Sequence, residues 1–245
     1  MAAVDRYLEH GYLEVYGMSS RFAGAISAWL LAHQVSRGIR GDVVEIGTFE
    51  GRYFIALALA LEAGEHALGM DTFNWPNDKI EEHLVANAAA AGLARERYTS
   101  WRALSTDVSA AELRARLGDQ PVRFFHIDGD HSPLPLRHDL DLALATIHPD
   151  GLVCLDDMLH PGYPFLVATV RDWLVEHPDW RLMAIIDRED IVGAAKFLLC
   201  RQEAVQHYER ALMDRYPQRH YVLGGDALGH HCVVLTPSPR IARVD

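Results

Sequence analysis

The chain has 245 residues, 49% hydrophobic and 23% charged, a balance that predicts a globular domain and excludes a disordered or fibrous protein. Its formal net charge of −11 at pH 7 argues against nucleic acid and against an anionic membrane as partners, because both require a basic surface. The N-terminus lacks the pattern of a secretion signal, and no apolar run reaches the roughly 18 residues of a membrane span. The three cysteines are widely spaced in apolar settings, which predicts buried thiols. We therefore expect a cytoplasmic protein.

Helical and strand patterns alternate along most of the chain. A helical pattern over residues 20–37 precedes the first apolar run, and from Asp42 onward strands and helices take turns. Such alternation is typical of a mostly parallel sheet with helices on both faces. The apolar runs Arg181–Ile186 and Ala195–Cys200 are joined by a link too short for a helical crossover, so we expect them to form an antiparallel hairpin.

The first strand ends in a turn that is bounded by glycines and leads into a helix, Val-Val-Glu-Ile-Gly-Thr-Phe-Glu-Gly at residues 43–51. Glycine lets the backbone approach a ligand closely, and the N-terminus of the following helix favours negative charge. Glu45 lies inside this strand, and Asp71 ends the next one, where a carboxylate can accept hydrogen bonds from ribose hydroxyls. The third glycine of the NAD-binding pattern is absent. The alternative is that the glycines only make a tight turn.

Carboxylates also follow two later strands. One apolar run ends in Asp-Gly-Asp-His at residues 128–131, and another ends in Asp156 and Asp157. Neighbouring strands lie about 4.8 Å apart, so Asp128 is expected to meet Asp156 and Asp157 at one edge of the sheet. Such an oxygen-rich set suits Mg²⁺, Mn²⁺ or Ca²⁺. The alternative is that these residues cap the next segment and order a loop.

The chain resembles class I S-adenosylmethionine-dependent methyltransferases in the run Val43–Gly51, in Asp71, in the segment Asp128–His131, in the pair Asp156 and Asp157, and in the closing hairpin. More narrowly, it resembles the metal-dependent small-molecule O-methyltransferases of the macrocin/mycinamicin and cephalosporin-pathway type. The resemblance covers about residues 40–200. It implies an α/β fold with a doubly wound, mostly parallel seven-stranded sheet and a C-terminal antiparallel hairpin, the Rossmann-like methyltransferase fold.

The same resemblance divides the chain into three parts. An N-terminal helical segment (residues 1–40) precedes a methyltransferase core (residues 41–202). A C-terminal extension of the same domain follows (residues 203–245), for which the sequence predicts one helix and one short strand, Cys232–Leu235.

The resemblance also implies roles for individual residues. Glu45 would lie near the methionine part of S-adenosylmethionine, and Asp71 would bind its ribose. A divalent cation, Mg²⁺ in our prediction, would be coordinated by Asp128, Asp156 and Asp157 and would bind hydroxyl oxygens of the acceptor. Cofactor contacts are predicted for Glu45, Gly47, Thr48, Gly51, Asp71, Thr72, Ser105 and Asp128. A plain helix cap explains Ser105 equally well.

His131 is the favoured general base. It stands three residues beyond Asp128, where catechol O-methyltransferase-like enzymes place a lysine base. A histidine, with an ordinary pKa near ~6.5, suits proton removal at neutral pH. Asp130 is the competing catalytic candidate.

Acceptor specificity is expected from the N-terminal 40 residues, the Asn74–Asp78 loop, Leu159–Pro164 and the C-terminal segment. Within these segments, Trp75 and Tyr163 are candidates for lining a substrate pocket, and His160 follows Asp157 closely enough to face the site. His126 precedes Asp128 by two residues and is expected to be a hydrogen-bonded core histidine.

The predicted function is a divalent-metal-assisted O-methyltransferase that acts on a hydroxylated small molecule such as a sugar or a polyketide-like metabolite. Dimerisation through the N-terminal helices is predicted. A second candidate is a phosphatase of the haloacid-dehalogenase type, in which Asp128 attacks phosphorus and Asp130 is the acid/base; that motif usually opens its fold, whereas here two strand–helix units precede it. A third is a nicotinamide oxidoreductase, which the absent glycine disfavours, and a fourth is a non-catalytic cofactor-binding protein.

Overall fold

A computed structural model describes residues 2–118 and 120–238 of the chain. Within these residues the α-helices are α1 (Ala2–Arg6), α2 (Arg21–Ser36), α3 (Arg52–Leu59), α4 (Ile80–Ala90), α5 (Ala110–Leu117), α6 (Pro133–Thr146), α7 (Phe165–Glu176) and α8 (Gln202–Arg215). The strands are β1 (Asp42–Ile46), β2 (Ala67–Asp71), β3 (Tyr98–Arg102), β4 (Val122–Ile127), β5 (Ile147–Met158), β6 (Trp180–Ile186), β7 (Ala195–Arg201), β8 (His220–Ala227) and β9 (His230–Leu235).

All of these strands form one sheet in the order β3-β2-β1-β4-β5-β7-β6-β9-β8. Strands β1 to β5 run parallel, whereas β7 is antiparallel to both β5 and β6. The doubly wound α/β fold with its closing antiparallel hairpin is therefore confirmed.

The sheet is wider than the predicted seven strands. Strand β9 adds to β6 in parallel, and β8 pairs with β9 in antiparallel fashion, so the described sheet has nine strands. The sequence predicted only the strand at Cys232–Leu235, because two glycines at 224 and 225 interrupt the apolar pattern of β8. Residues 239–245 of the predicted C-terminal extension lie outside the described residues.

Apolar side chains cover both faces of the sheet. Phe124 contributes to a core beneath α2, α3 and α8, whereas the next residue, Phe125, contributes to a core beneath α5, α6 and α7. This alternation follows from the two-residue period of a strand, and it explains why the strands read as continuous apolar runs. With both faces covered, a ligand can approach the central strands only at their ends.

Two helices begin at serines that cap them. Ser20 caps α2 by accepting a hydrogen bond from the backbone N–H of Ala23 at 3.1 Å. Ser109 and Glu112 form a reciprocal capping box at the start of α5. None of the described helices is long and apolar enough to cross a bilayer.

A buried carboxyl group in α6 predicts a pH-dependent stability. Asp139 is fully buried, and neither of its carboxylate oxygens has a hydrogen-bond donor among the described residues. Burial raises the pKa of Asp139 to about 6, an effect that the nearby Ser105 hydroxyl only partly offsets. Because the folded pKa is raised, the stabilisation from proton uptake is complete below the unfolded pKa of about 3.9 and is lost as the pH rises through about 6.

Asp139→Asn should therefore increase the free energy of unfolding at pH 8. The increase should reach up to about 3 kcal/mol, because one pKa unit corresponds to about 1.4 kcal/mol. At pH 4 the free energy of unfolding should change little. Thermal and urea unfolding at both pH values measure the effect. Asp214→Asn, at an exposed position of α8, is the matched control. It should leave the free energy of unfolding unchanged at both pH values. A gain at pH 4 as large as at pH 8 would contradict the titration of Asp139.

Candidate functional site

A cavity of about 590 Å³ opens at the carboxyl ends of the central strands β1, β2, β4 and β5. Many of the predicted site residues line it together, namely Glu45, Gly47, Thr48, Asp71, Asp128, His131, Asp156 and Asp157. The proposed pocket residues Trp75, His160 and Tyr163 also line it. Its size is in the usual range for a small-molecule or cofactor site.

Four of the predicted site residues do not line the cavity. Gly51 immediately precedes α3 and packs toward Leu84, and the Thr72 hydroxyl donates to the side chain of Asn74. Ser105 lies in a short turn near Asp139, and Asp130 accepts a hydrogen bond from the Ser132 hydroxyl. Their roles in binding or catalysis stay predictions.

The turn after β1 passes very close to the end of β4. Gly47 has a φ of +85°, and a Cβ atom there would lie 1.8 Å from the carbonyl oxygen of Asp128. Its N–H donates to the carbonyl of Met70 at 2.8 Å. Only glycine fits this position, and the close approach holds the β1 turn against Asp128.

Gly47→Ala should cost at least about 2 kcal/mol of unfolding free energy, because it adds a steric overlap to a left-handed backbone conformation. Gly64→Ala is a matched control: Gly64 has a φ of +87°, but nothing lies within 4 Å of the added Cβ. Urea denaturation should therefore show a clearly larger loss for Gly47→Ala than for Gly64→Ala. Equal losses would mean that only the backbone conformation matters.

Asp71 stands at the cavity rim at the end of β2. Its Oδ2 accepts the backbone N–H of Phe49, and its Oδ1 accepts that of Phe73, both at 2.8 Å. These bonds fix the carboxylate beside the β1 turn, while Oδ2 keeps a further lone pair for a ligand. The position fits the predicted contact with ribose hydroxyls.

Glu45 offers a buried acceptor that lacks a protein donor. The register of β1 and β4 places Glu45 opposite His126, and Oε1 of Glu45 lies 2.8 Å from Nδ1 of His126. Oε2 of Glu45 is buried and has no hydrogen-bond partner among the described residues. Burial raises the pKa of Glu45, and the bond to His126 works in the opposite direction. An unpaired buried carboxylate oxygen at a cavity wall favours a cationic or N–H ligand group.

Asp156 is held by a lysine that no sequence motif marks. Lys196 on β7 forms a buried ion pair with Oδ2 of Asp156, and the hydroxyl of Ser19 donates to the same oxygen at 3.2 Å. Burial alone would raise the pKa of Asp156, but the charge of Lys196 and the nearby His126 ring hold it well below its ordinary value. The one signal in the sequence was a charged residue inside the apolar run Ala195–Cys200.

His131 and Asp157 form a second polar pair at the cavity. Nε2 of His131 lies 2.8 Å from Oδ2 of Asp157 and 3.8 Å from Oδ1 of Asp128. Burial alone would lower the pKa of His131, but the two nearby carboxylates, Asp157 within hydrogen-bond distance and Asp128 slightly farther away, raise it to about 10. Burial and the charge of Asp156 raise the pKa of Asp128. The His131 ring lies 4.1 Å, centre to centre, from Tyr163, which fixes its plane.

The three aspartates do not fit the predicted metal site as one ligand set. Among the described residues, ligand atoms within 4.8 Å of one another form two groups that share Asp128: His126 with Asp128 and Asp156, and His131 with Asp128 and Asp157. The carboxylate of Asp156 is already paired with Lys196. A divalent cation on Asp128, Asp156 and Asp157 therefore stays a prediction, and the ion pair argues against it.

Aromatic and apolar side chains form the outer rim of the cavity. Trp75 is 64% exposed and Tyr16 is 61% exposed, and both contact Phe49, with ring centres 5.8 and 5.6 Å apart. Met18 and Val192 complete this rim. Among the described residues, none beyond Val192 lines the cavity, so the part of the C-terminal extension up to residue 238 takes no part in its wall.

Comparison with known proteins gives the family context. Residues 44–158 match the family model of a methyltransferase domain. The chain contains a methyltransferase domain. The match confirms the resemblance to the class I methyltransferases, and it spans the β1 turn, Asp71, Asp128 and both residues of the Asp156–Asp157 pair. No curated protein matches the chain.

Several solved structures share this fold, and the similarity covers more of the chain than the match to the family model does. An O-methyltransferase from Bacillus cereus in complex with SAH is 16% identical, with a TM-score of 0.60 over 82% of this chain and 91% of that one. The O-methyltransferase TomG from Streptomyces achromogenes, involved in tomaymycin synthesis and bound to SAM, is 21% identical, with a TM-score of 0.58 over 82% and 87%. CalS11, a TDP-rhamnose 3′-O-methyltransferase of calicheamicin biosynthesis, is 17% identical, with a TM-score of 0.56 over 81% and 86%.

Proposed function

We propose that the protein transfers a methyl group from S-adenosylmethionine to a hydroxyl oxygen of a small molecule. The observation that carries the proposal is the unpaired Oε2 of Glu45 in the same cavity as Asp71. One carboxylate suits the ammonium group of the cofactor's methionine part, and the other suits the ribose hydroxyls. Gly47 lines the same cavity, and its turn would let the cofactor approach the backbone.

The acceptor would enter from the aromatic rim and present its hydroxyl to His131. His131 would accept the O–H proton, and S-adenosylmethionine would supply the methyl group to the acceptor oxygen and leave as S-adenosylhomocysteine. Asp157 would hold the ring through Nε2, which leaves Nδ1 of His131 as the proton acceptor. The positive sulfonium would lower the raised pKa of His131 and so favour its neutral, basic form.

The chemistry of the cavity supports a hydroxylated small molecule with an apolar or aromatic part. The exposed rings of Trp75 and Tyr16 at the rim favour an apolar or aromatic surface on the acceptor. The carboxylates that line the cavity favour a polar group on it. The names of TomG and CalS11 refer to O-methylation in the synthesis of small natural products, which agrees with this proposal. No step of the proposed reaction requires a divalent cation.

The phosphatase alternative has weaker support. It requires Asp128 and Asp130 to face one substrate, but the side chain of Asp130 accepts a bond from Ser132 and does not line the cavity. A non-catalytic cofactor-binding protein would keep Glu45 and Asp71 but would have no need of the His131–Asp157 pair.

Calorimetric titration of S-adenosylhomocysteine into the purified protein tests the proposal. We expect micromolar binding, and we expect NAD⁺, which also carries adenosine, not to bind. Hydroxylated aromatic and sugar acceptors can then be screened by the appearance of methylated product. The absence of S-adenosylhomocysteine binding would refute the proposed function.

A further inference from the structure

Lys196 is one of only two lysines in the chain and is 1% exposed on its side chain. Its ammonium group pairs with Asp156, donates to the Ser19 hydroxyl at 3.0 Å, and lies 3.3 Å from Nε2 of His126. It also lies 4.6 Å from the ring centre of Tyr53. All three ammonium protons therefore have partners, and an aromatic face completes the enclosure.

The sheet fixes this ammonium group beside Asp156. Strand β7 pairs with β5 from Val153 to Met158, and the register shifts between Leu155 and Met158. Lys196 stands opposite this irregular stretch, which holds Asp156 and Asp157. The cation is thus built into the strand next to the acidic pair and does not come from a mobile loop.

A divalent cation at Asp156 would have to compete with this ammonium group. Both need the same carboxylate, and their charges repel each other. Displacing Lys196 would leave a buried ammonium group without its carboxylate, which is strongly unfavourable. A neutral residue of similar shape, such as methionine, would remove this barrier while filling the same space.

We propose that Lys196 is the permanent cation of this site, that it takes the place of a divalent metal at Asp156, and that methyl transfer here is metal-independent. The last point rests on the proposed function, whereas the exclusion of the metal can be measured without any turnover. Lys196 acts through Asp156 and is a positioning residue, since it does not line the cavity.

The test is a titration of Mn²⁺ into the full-length protein, followed by calorimetry and by the EPR signal of free Mn²⁺, with and without S-adenosylhomocysteine. The wild type should bind no Mn²⁺ at micromolar concentration, and EDTA should not change its affinity for S-adenosylhomocysteine. Lys196→Met should bind Mn²⁺ roughly tenfold or more tightly than the wild type, because it frees the Asp156 carboxylate. Lys79→Met, which removes the other lysine, should behave as the wild type.

Micromolar Mn²⁺ binding by the wild type that Asp156→Asn or Asp157→Asn abolishes would overturn the proposal, and this result does not depend on the folding of Lys196→Met. A folded Lys196→Met protein that binds Mn²⁺ no better than the wild type would overturn it as well. Failure to bind S-adenosylhomocysteine would refute the proposed function alone, because the Mn²⁺ titration reports on Lys196 independently.

Discussion

His131→Gln should lower kcat by about 10²- to 10⁴-fold with the natural acceptor, while the affinity for S-adenosylhomocysteine stays within a few fold. The variant keeps a polar side chain of similar size beside Asp157 but cannot accept the hydroxyl proton. The wild-type profile should also depend on pH. Two carboxylates raise the pKa of His131 to about 10 in the free protein, so only a small fraction is neutral at pH 7 and kcat/KM should rise with pH.

His160→Gln is the matched control for this prediction. His160 also lines the cavity, and its ring stacks on Tyr163 at 4.6 Å, but its Nδ1 already accepts the N–H of Gly162. It should affect KM more than kcat and should preserve the rise of kcat/KM with pH. Full turnover by His131→Gln, or an unchanged pH profile in that variant, would exclude His131 as the base.

Glu45→Gln should weaken S-adenosylhomocysteine binding by about 10- to 150-fold, because it removes the charge that the ligand's ammonium group meets in a buried site. The glutamine can still accept the hydrogen bond from Nδ1 of His126, so the neighbouring strand pair stays intact. Calorimetry measures the change, and thermal unfolding shows whether the variant remains folded.

A ligand that lacks the amino-acid part isolates the role of Glu45. Methylthioadenosine keeps the adenosine and the sulfur but has no ammonium group, so the wild type and Glu45→Gln should bind it equally well. Glu50→Gln is the control for loss of a carboxylate, since Glu50 pairs with His83 and does not line the cavity. Equal weakening for both ligands would show that Glu45 supports the fold rather than the ammonium group.

The sequence predicted the parts of the site that follow directly from strand ends. Glu45, Asp71 and Asp128 stand in or after apolar runs, and parallel strands bring their carboxyl ends to one edge of a sheet. The position of a strand end does not show which of two adjacent residues in the following turn faces the cavity. It therefore could not show that His131 lines the cavity and that Asp130 does not.

Contacts between distant segments could not be predicted in this way. The ion pair of Asp156 with Lys196 depends on the register of two antiparallel strands, and one residue of slip would turn the lysine to the other face. Ser19 belongs to a loop without a motif, and its bond with Asp156 joins residues 137 positions apart. The metal prediction depended on Asp156 having no such partner.

The contact between Ser19 and Lys196 spans 177 positions of the chain. During synthesis on the ribosome, Asp156 emerges well before the ammonium group that neutralises it. The cavity therefore cannot assume its final charge distribution until β7 has left the exit tunnel. A nascent chain that stops before β7 lacks this counter-ion, so the buried carboxylate of Asp156 has no lysine partner until β7 has been synthesised.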